Sequence, residues 1–242
     1  MDKARYKRML IKISGEAIGG RNGEVLDFAI IGKICDEISR CMALGVQIGI
    51  VVGAGNIWRG ARDGDGKIER TRADHMGMLA TVINCLALAG ALESRGLAVR
   101  VQTAIEMRAI AEPYVRLRAI SHLEKGRVVI FGCGLGNPYF STDTAAVLRG
   151  AEIGADIVML AKNIDGVYDD DPRKNPLAKK YDFLTPNDFL RYNLAAMDAT
   201  AASLSLDNRI PVLLFALEDP ENIYKAVIGE KIGTIVREEH VQ

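Results

Sequence analysis

The stretch Arg8-Met9-Leu10-Ile11-Lys12-Ile13-Ser14-Gly15 is a short apolar run that ends in glycine. Val46-Gln47-Ile48-Gly49-Ile50-Val51-Val52-Gly53-Ala54-Gly55 follows the same plan, and Arg127 to Phe131 does so again before Gly132-Cys133-Gly134-Leu135-Gly136-Asn137. Near-continuous β-branched runs of this length predict strands buried on both faces. Leu97 to Val101, Asp156 to Leu160 and Pro211 to Phe215 read the same way, with Thr234 to Arg237 as a last strand. Helical patterns separate them. Asp27 to Leu44 carries Phe28, Ile31, Ile34, Ile38 and Met42 at helical spacing and stops at Gly45. Ala73 to Ser94 predicts a long apolar helix, Glu106 to Glu124 a helix interrupted at Pro113, and Thr142 to Ile153 a helix capped by Ser141 or Thr142. Met197 to Asn208 and Pro220 to Ile228 complete the set. Strand and helix in alternation give an α/β fold with a mostly parallel central sheet covered on both faces. Asn163 to Pro186, rich in charge, Asp and Pro, reads as a loop-like excursion over the active site. No internal repeat or linker divides the chain, so one domain is expected over residues 1–242.

Composition narrows the function. The 242 residues are 49% apolar and 26% charged, with 31 Lys plus Arg against 31 Asp plus Glu. A neutral chain has no general electrostatic reason to coat nucleic acid. The cysteines Cys35, Cys41, Cys85 and Cys133 form no Cys-x-x-Cys pair and read as buried small hydrophobes in a reducing compartment, hence a cytoplasmic protein. Met1 to Arg8 is charged and precedes too short an apolar run for a signal peptide. Met76 to Leu92 is broken by Thr81 and Asn84, so it reads as a buried helix and no membrane is expected.

In a parallel sheet the carboxyl ends of the strands share one edge, where ligands bind. Three glycine loops fall on that edge. Glycine lets backbone N–H groups converge on an anion, and a following helix N-terminus adds partial positive charge. None of the loops matches Gly-x-x-x-x-Gly-Lys-Ser/Thr, and none completes Gly-x-Gly-x-x-Gly after a strand, so P-loop and dinucleotide folds are disfavoured. Lys12 interrupts an apolar strand at its carboxyl end, as a point charge aimed at a transferring phosphoryl group would. Lys162 lies at the same edge. Asp143 either complements a helix dipole or orients a lysine or metal-bound water beside phosphates. Asp169-Asp170-Asp171-Pro172 reads as a solvated turn; Arg59, Arg62, Arg70 and Arg72 read as a solvated surface, and His75 as a core histidine.

Lys12-Ile13-Ser14-Gly15-Glu16-Ala17, Gly53-Ala54-Gly55-Asn56-Ile57-Trp58-Arg59-Gly60 and Ala73-Asp74-His75-Met76-Gly77-Met78-Leu79-Ala80-Thr81 resemble the bacterial UMP kinases of the amino-acid-kinase group. So do Gly136-Asn137-Pro138-Tyr139-Phe140-Ser141-Thr142-Asp143, Asp165-Gly166-Val167-Tyr168, Met197-Asp198-Ala199-Thr200-Ala201 and Val227-Ile228-Gly229-Glu230. The resemblance runs from about Lys7 to Arg237, and the Asp74-to-Thr81 and Gly136-to-Asp143 segments separate UMP kinases from other amino-acid-kinase relatives.

This resemblance implies a three-layer αβα sandwich of the amino-acid-kinase type, a homohexamer, and transfer of the γ-phosphoryl group of MgATP to UMP in pyrimidine nucleotide biosynthesis. By position, Lys12, Ser14, Gly15, Gly55, Arg59, Lys162, Asn163, Tyr168 and Asp171 match the ATP site. Ala54, Asp74, Leu135, Gly136, Asn137, Pro138, Tyr139, Phe140, Ser141 and Thr142 match the UMP site. Lys12, Asp143 and Asp198 match residues important for activity, Asp74 is expected on the ribose, and Mg²⁺ is expected to come with ATP rather than be held by protein ligands. Ala54 stands where the family usually has the middle glycine of three, the Ala161-to-Asp165 loop looks a residue shorter, and Gly19 to Glu24 is short where some members respond to GTP. The alternatives are a kinase for a carboxylate or carbamate, and a non-catalytic ATP-binding storage or sensor protein of the same fold.

Overall fold

A computed structural model describes residues 2–20, 23–59, 63–64, 66–194 and 196–238. Gly60, Arg62 and the Arg21-Asn22 part of the Gly19-to-Glu24 segment lie outside the described residues.

In chain order the elements are β1 (Arg8–Ile13), α1 (Gly15–Ile18), α2 (Phe28–Ala43), β2 (Gln47–Val52), α3 (Arg70–Glu93), β3 (Val99–Thr103), β4 (Glu112–Pro113), α4 (Arg116–Glu124), β5 (Val128–Gly132) and α5 (Thr142–Ile153). They continue as β6 (Ile157–Lys162), β7 (Val167–Tyr168), β8 (Lys180–Tyr181), β9 (Phe183–Leu184), α6 (Pro186–Arg191), α7 (Ala199–Asn208), β10 (Val212–Ala216), α8 (Asn222–Ile228) and β11 (Thr234–Val236). Among the described residues nine strands form one sheet, in the order β4-β3-β5-β2-β1-β6-β10-β11-β9. Every pairing in it is parallel except β10 with β11. The expected mostly parallel α/β sheet is thus present.

Alternation along each strand sends side chains to two separate cores. Met9, Ile11 and Ile13 of β1 pack with α2, the carboxyl half of α3, and α8. Leu10 packs on the other side with α4, α5, α6 and α7. Lys12 stands two residues beyond Leu10 and therefore faces the α5 layer. In β6, Val158 and Leu160 pack on that same side, so Lys162, two residues further on, is directed there too.

Several boundaries differ from expectation. The helix expected over Glu106 to Glu124 begins only at Arg116, and Glu112–Pro113 pairs with β3 as the edge strand β4. Proline lacks the N–H a ladder needs, so an edge position accommodates it where a helix interior could not. The third strand runs Val99–Thr103, two residues later than expected, because Thr103 pairs with Gly132 of β5. The long helix starts at Arg70, where the Glu69 carboxylate accepts from the amides of Thr71 and Arg72. The segment after β6 contains the β7–β8 hairpin and β9 within its loops. His75 is exposed on α3, not in the core, and Phe28 is exposed at the start of α2. All four cysteines are buried and unpaired.

Candidate active site

The first and second glycine loops meet face to face. A Cβ at Gly15 would stand 2.6 Å from Gly55 N and 2.7 Å from Gly53 O, so only glycine lets the ends of β1 and β2 approach this closely. A cavity of about 370 Å³ opens beside them. Lys12, Ser14, Gly15, Ala54, Gly55 and Arg59 line one end; Asp74, Leu135, Asn137, Tyr139, Phe140, Ser141 and Thr142 line the other. A more open cleft of about 830 Å³ lies along α3 and β3, but none of the expected site residues borders it.

The chemistry of the first end centres on Asp143, in the opening turn of α5. Strand register brings Lys12 and Lys162 to one face, and Asp143 reaches both. Lys12 Nζ lies 3.0 Å from Oδ1, as an ion pair without good hydrogen-bond alignment, and Lys162 Nζ closes on Oδ2. Burial would raise the Asp143 pKa, but the two ammoniums outweigh it and hold the carboxyl below its usual range. Lys162 is pushed below the ordinary lysine value, mainly by burial and only partly offset by Asp143. Two ammoniums thus share one carboxylate. Lys12 lines the cavity, and Lys162 sits behind it.

At the other end Asp74 accepts from Arg70 Nε at 3.0 and 2.9 Å and from the backbone N–H of Tyr139 at 2.9 Å. Tyr139 has φ 70° and Cys133 φ 63°, both left-handed conformations rare outside glycine. The Cys133 N–H donates to Thr81 Oγ1 at 2.8 Å. α5 begins at the cavity wall, where Ser141 Oγ accepts from the amides of Asp143 and Thr144. Ser141 Oγ also donates to Asp198, and Thr144 Oγ1 donates to it at 2.8 Å. Asp198 in turn caps α7 through the Ala201 amide at 2.9 Å. It therefore ties the starts of α5 and α7 together.

Asn163, Tyr168 and Asp171, expected in the ATP site, do not line this cavity. Asn163 Nδ2 reaches Glu16 at 3.3 Å, the Tyr168 hydroxyl donates to Asp165 at 2.8 Å, and Asp171 accepts from the Arg173 amide at 3.0 Å. Gly136 and Pro138 sit in the loop between β5 and α5 but do not line the cavity. Arg59 pairs with Glu16 at 2.5 Å.

Four residues carried no functional reading in sequence. Arg70, assigned above to a solvated surface, lines the cavity and places its guanidinium 5.3 Å from the Tyr139 ring. Trp58 also lines it and donates to Ala73 O at 2.9 Å. Asn84, fully buried on α3, donates to Gly53 O at 2.7 Å and forms a reciprocal amide pair with Asn56 at 2.8 and 3.0 Å. In a trans peptide the carbonyl of Gly53 and the N–H of Ala54 point opposite ways, so this bond turns the Ala54 amide away from α3. Among the described residues neither Ala54 nor Gly55 donates a backbone hydrogen bond. Thr81 is the fourth. For Thr81 and Asn84, a polar residue interrupting an apolar helix was the available signal.

The amino acid kinase family model matches residues 7–218. A UMP kinase from Bacillus anthracis is 40% identical, with TM-score 0.93 and coverage of 97% of each chain. A UMP kinase from Ureaplasma parvum is 37% identical, with TM-score 0.91, covering 97% of this chain and 100% of that one. A uridylate kinase from Archaeoglobus fulgidus is 27% identical, with TM-score 0.74, covering 94% and 99%.

Proposed function

The chain belongs to the amino acid kinase family, and from that premise we propose that it transfers the γ-phosphoryl group of MgATP to UMP, giving UDP. The observation that carries this reading is the single cavity joining a doubly cationic, carboxylate-anchored end at Lys12 to the Asp74–Tyr139 end. The acceptor phosphate is already an anion at neutral pH, so no group has to remove a proton from it. Catalysis is then positioning and charge neutralisation.

Lys12 neutralises the phosphoryl oxygens and Asp143 holds it in place, with Lys162 behind. The free amides of Ala54 and Gly55 supply donors beside it. Asp74 accepts from the ribose, and the Leu135-to-Thr142 segment reads the base. Both oxygens of Asp143 are taken by lysines. Among the described residues no group of three or more His, Cys, Asp or Glu could hold a metal. Mg²⁺ would come with ATP as part of the substrate and would supply charge neutralisation beside Lys12.

The chain acts as one domain over 1–242, in the cytoplasm, where the four buried thiols stay reduced. We assign it a homohexamer. Met76, Leu79, Ile83 and Leu86 form an exposed apolar stripe on α3, which supports self-association there. That helix is long and apolar enough to cross a membrane by composition, but half of its most apolar window is buried in the fold.

A coupled ADP-release assay with UMP, CMP, aspartate, acetylglutamate and carbamate tests the reading. Turnover with UMP alone is expected. Turnover with a carboxylate or carbamate, or with none of the five, overturns it.

A further inference from the structure

We propose that Thr81 is a positioning residue for the acceptor, holding the loop that binds it in its working shape; this rests on the acceptor role given to that loop above. Thr81 is 3% exposed, two turns along α3 from Asp74 and on the same face. Thr81 borders the cavity, and its hydroxyl both donates and accepts within the protein. Oγ1 donates to Met78 O at 2.6 Å and accepts from Cys133 N at 2.8 Å.

The loop it serves is costly to form. Cys133 and Tyr139 are its two non-glycine residues with positive φ, at 63° and 70°. Each such conformation is unfavourable for a side chain with a Cβ and persists only when the surroundings over-determine it. Both are held from α3 in the same way: Tyr139 N–H by Asp74, Cys133 N–H by Thr81. The two bonds pin the loop at its start and near its end. Between them lie Leu135 and Asn137, which line the cavity. Releasing the Cys133 amide frees the start of the loop, and the acceptor then has to reorder it on binding. A buried threonine satisfied by any convenient partner would have no such consequence.

The test compares Thr81→Val, which keeps the shape and removes the hydroxyl, with Thr81→Ser, which keeps the hydroxyl. Ser205→Ala is the control. Ser205 is also a buried hydroxyl bonded to the backbone, donating to Ile210 O at 2.7 Å, at the amino end of β10 and so at the opposite edge of the sheet. Thr81→Val is expected to raise the KM for UMP about tenfold, the effect of one lost buried hydrogen bond, with the KM for ATP unchanged. Hydrogen exchange in peptides covering 132–139 should speed up in the unliganded protein, while peptides covering β6 stay as in the wild type. Thr81→Ser should restore both. Ser205→Ala should lower thermal stability and leave both unchanged.

A wild-type KM for UMP in Thr81→Val overturns the proposal, as does a serine variant as impaired as the valine one. Unchanged exchange with a raised KM also overturns it, because the hydroxyl would then touch the acceptor directly. If the wild-type chain does not use UMP, the functional reading fails on that measurement alone, and exchange in the unliganded variants still decides whether Thr81 holds the loop.

Discussion

Replacing Asp143 by Asn removes the one carboxylate between two ammoniums while keeping the side chain's shape. The carboxylate is about nine-tenths buried, with Lys12 at 3.0 Å and Lys162 closer still. An amide offers one of those lysines an acceptor and the other a donor, and it cancels neither charge. Removing one partner of a buried pair costs about 3–5 kcal/mol. For a chain of this length about 2–4 °C of Tm is lost per kcal/mol, so the melt should fall by roughly 6–20 °C. Lys12 also loses its anchor, and a displacement of the order of 1 Å at the reacting group lowers kcat by about 100-fold.

The pH dependence separates this mechanism from simple loss of packing. Burial places the folded-state pKa of Lys162 below its ordinary value of 10.5 even with Asp143 beside it. A lysine with a depressed folded pKa favours folding in its neutral form, so stability rises as pH climbs from that lowered pKa toward 10.5. Without Asp143 the attraction that partly offset burial is gone, and the pKa falls further. Asp143→Asn should therefore recover more stability than the wild type between neutral pH and a pH near 10.5. Guanidinium melts at both pH values, with kcat at the lower one, measure this. A variant within about 1 kcal/mol of wild type at both pH values, with normal kcat, refutes the account.

In the wild type, Asp143 itself has a depressed pKa, so its contribution is complete at neutral pH and is lost as pH falls through that lowered value; acid titration of the melt should show this loss below the usual carboxylate range. Lys12→Ala should lower kcat far more than it weakens UMP binding, because the charge is used as phosphoryl charge develops; a near wild-type kcat would remove Lys12 from the mechanism. Asp74→Asn should raise the KM for UMP by the equivalent of about 1–3 kcal/mol, and an unchanged KM with a collapsed kcat would move Asp74 to the chemical step. Steady-state kcat/KM should favour UMP over CMP by about 100-fold or more, since cytosine reverses the donor and acceptor that a uracil pocket leaves buried; comparable values would make this a general pyrimidine nucleotide kinase.

The layers of this fold were legible because burial on both faces forces an unmistakable composition. β1, β2, β5, β6 and β10 are runs in which almost every residue is inside. Lys12 was conspicuous for the same reason: a cation among residues of zero exposure has to be placed there for something. Glycine at the strand ends marked the edge that holds the site, and the close approach of Gly15 to Gly53 and Gly55 explains why glycine is needed there. Edge elements were harder. β4 is two residues long and exists only because β3 is beside it, so no local pattern separates it from the helix expected around it.

What tertiary structure alone decided is who touches whom across the chain. Lys12, Asp143 and Lys162 each stood out in sequence, but their meeting depends on the register of β1 against β6 and on where α5 crosses that face. Thr81 and Asn84 looked like interruptions of an apolar helix and are anchors for two loops. Their partners are an N–H and a C=O of the backbone. Apart from proline's missing N–H, every residue carries both groups, so a side chain bonded to them leaves no matching residue elsewhere in the sequence to be found. Only the folded chain shows which amide and which carbonyl arrive beside them.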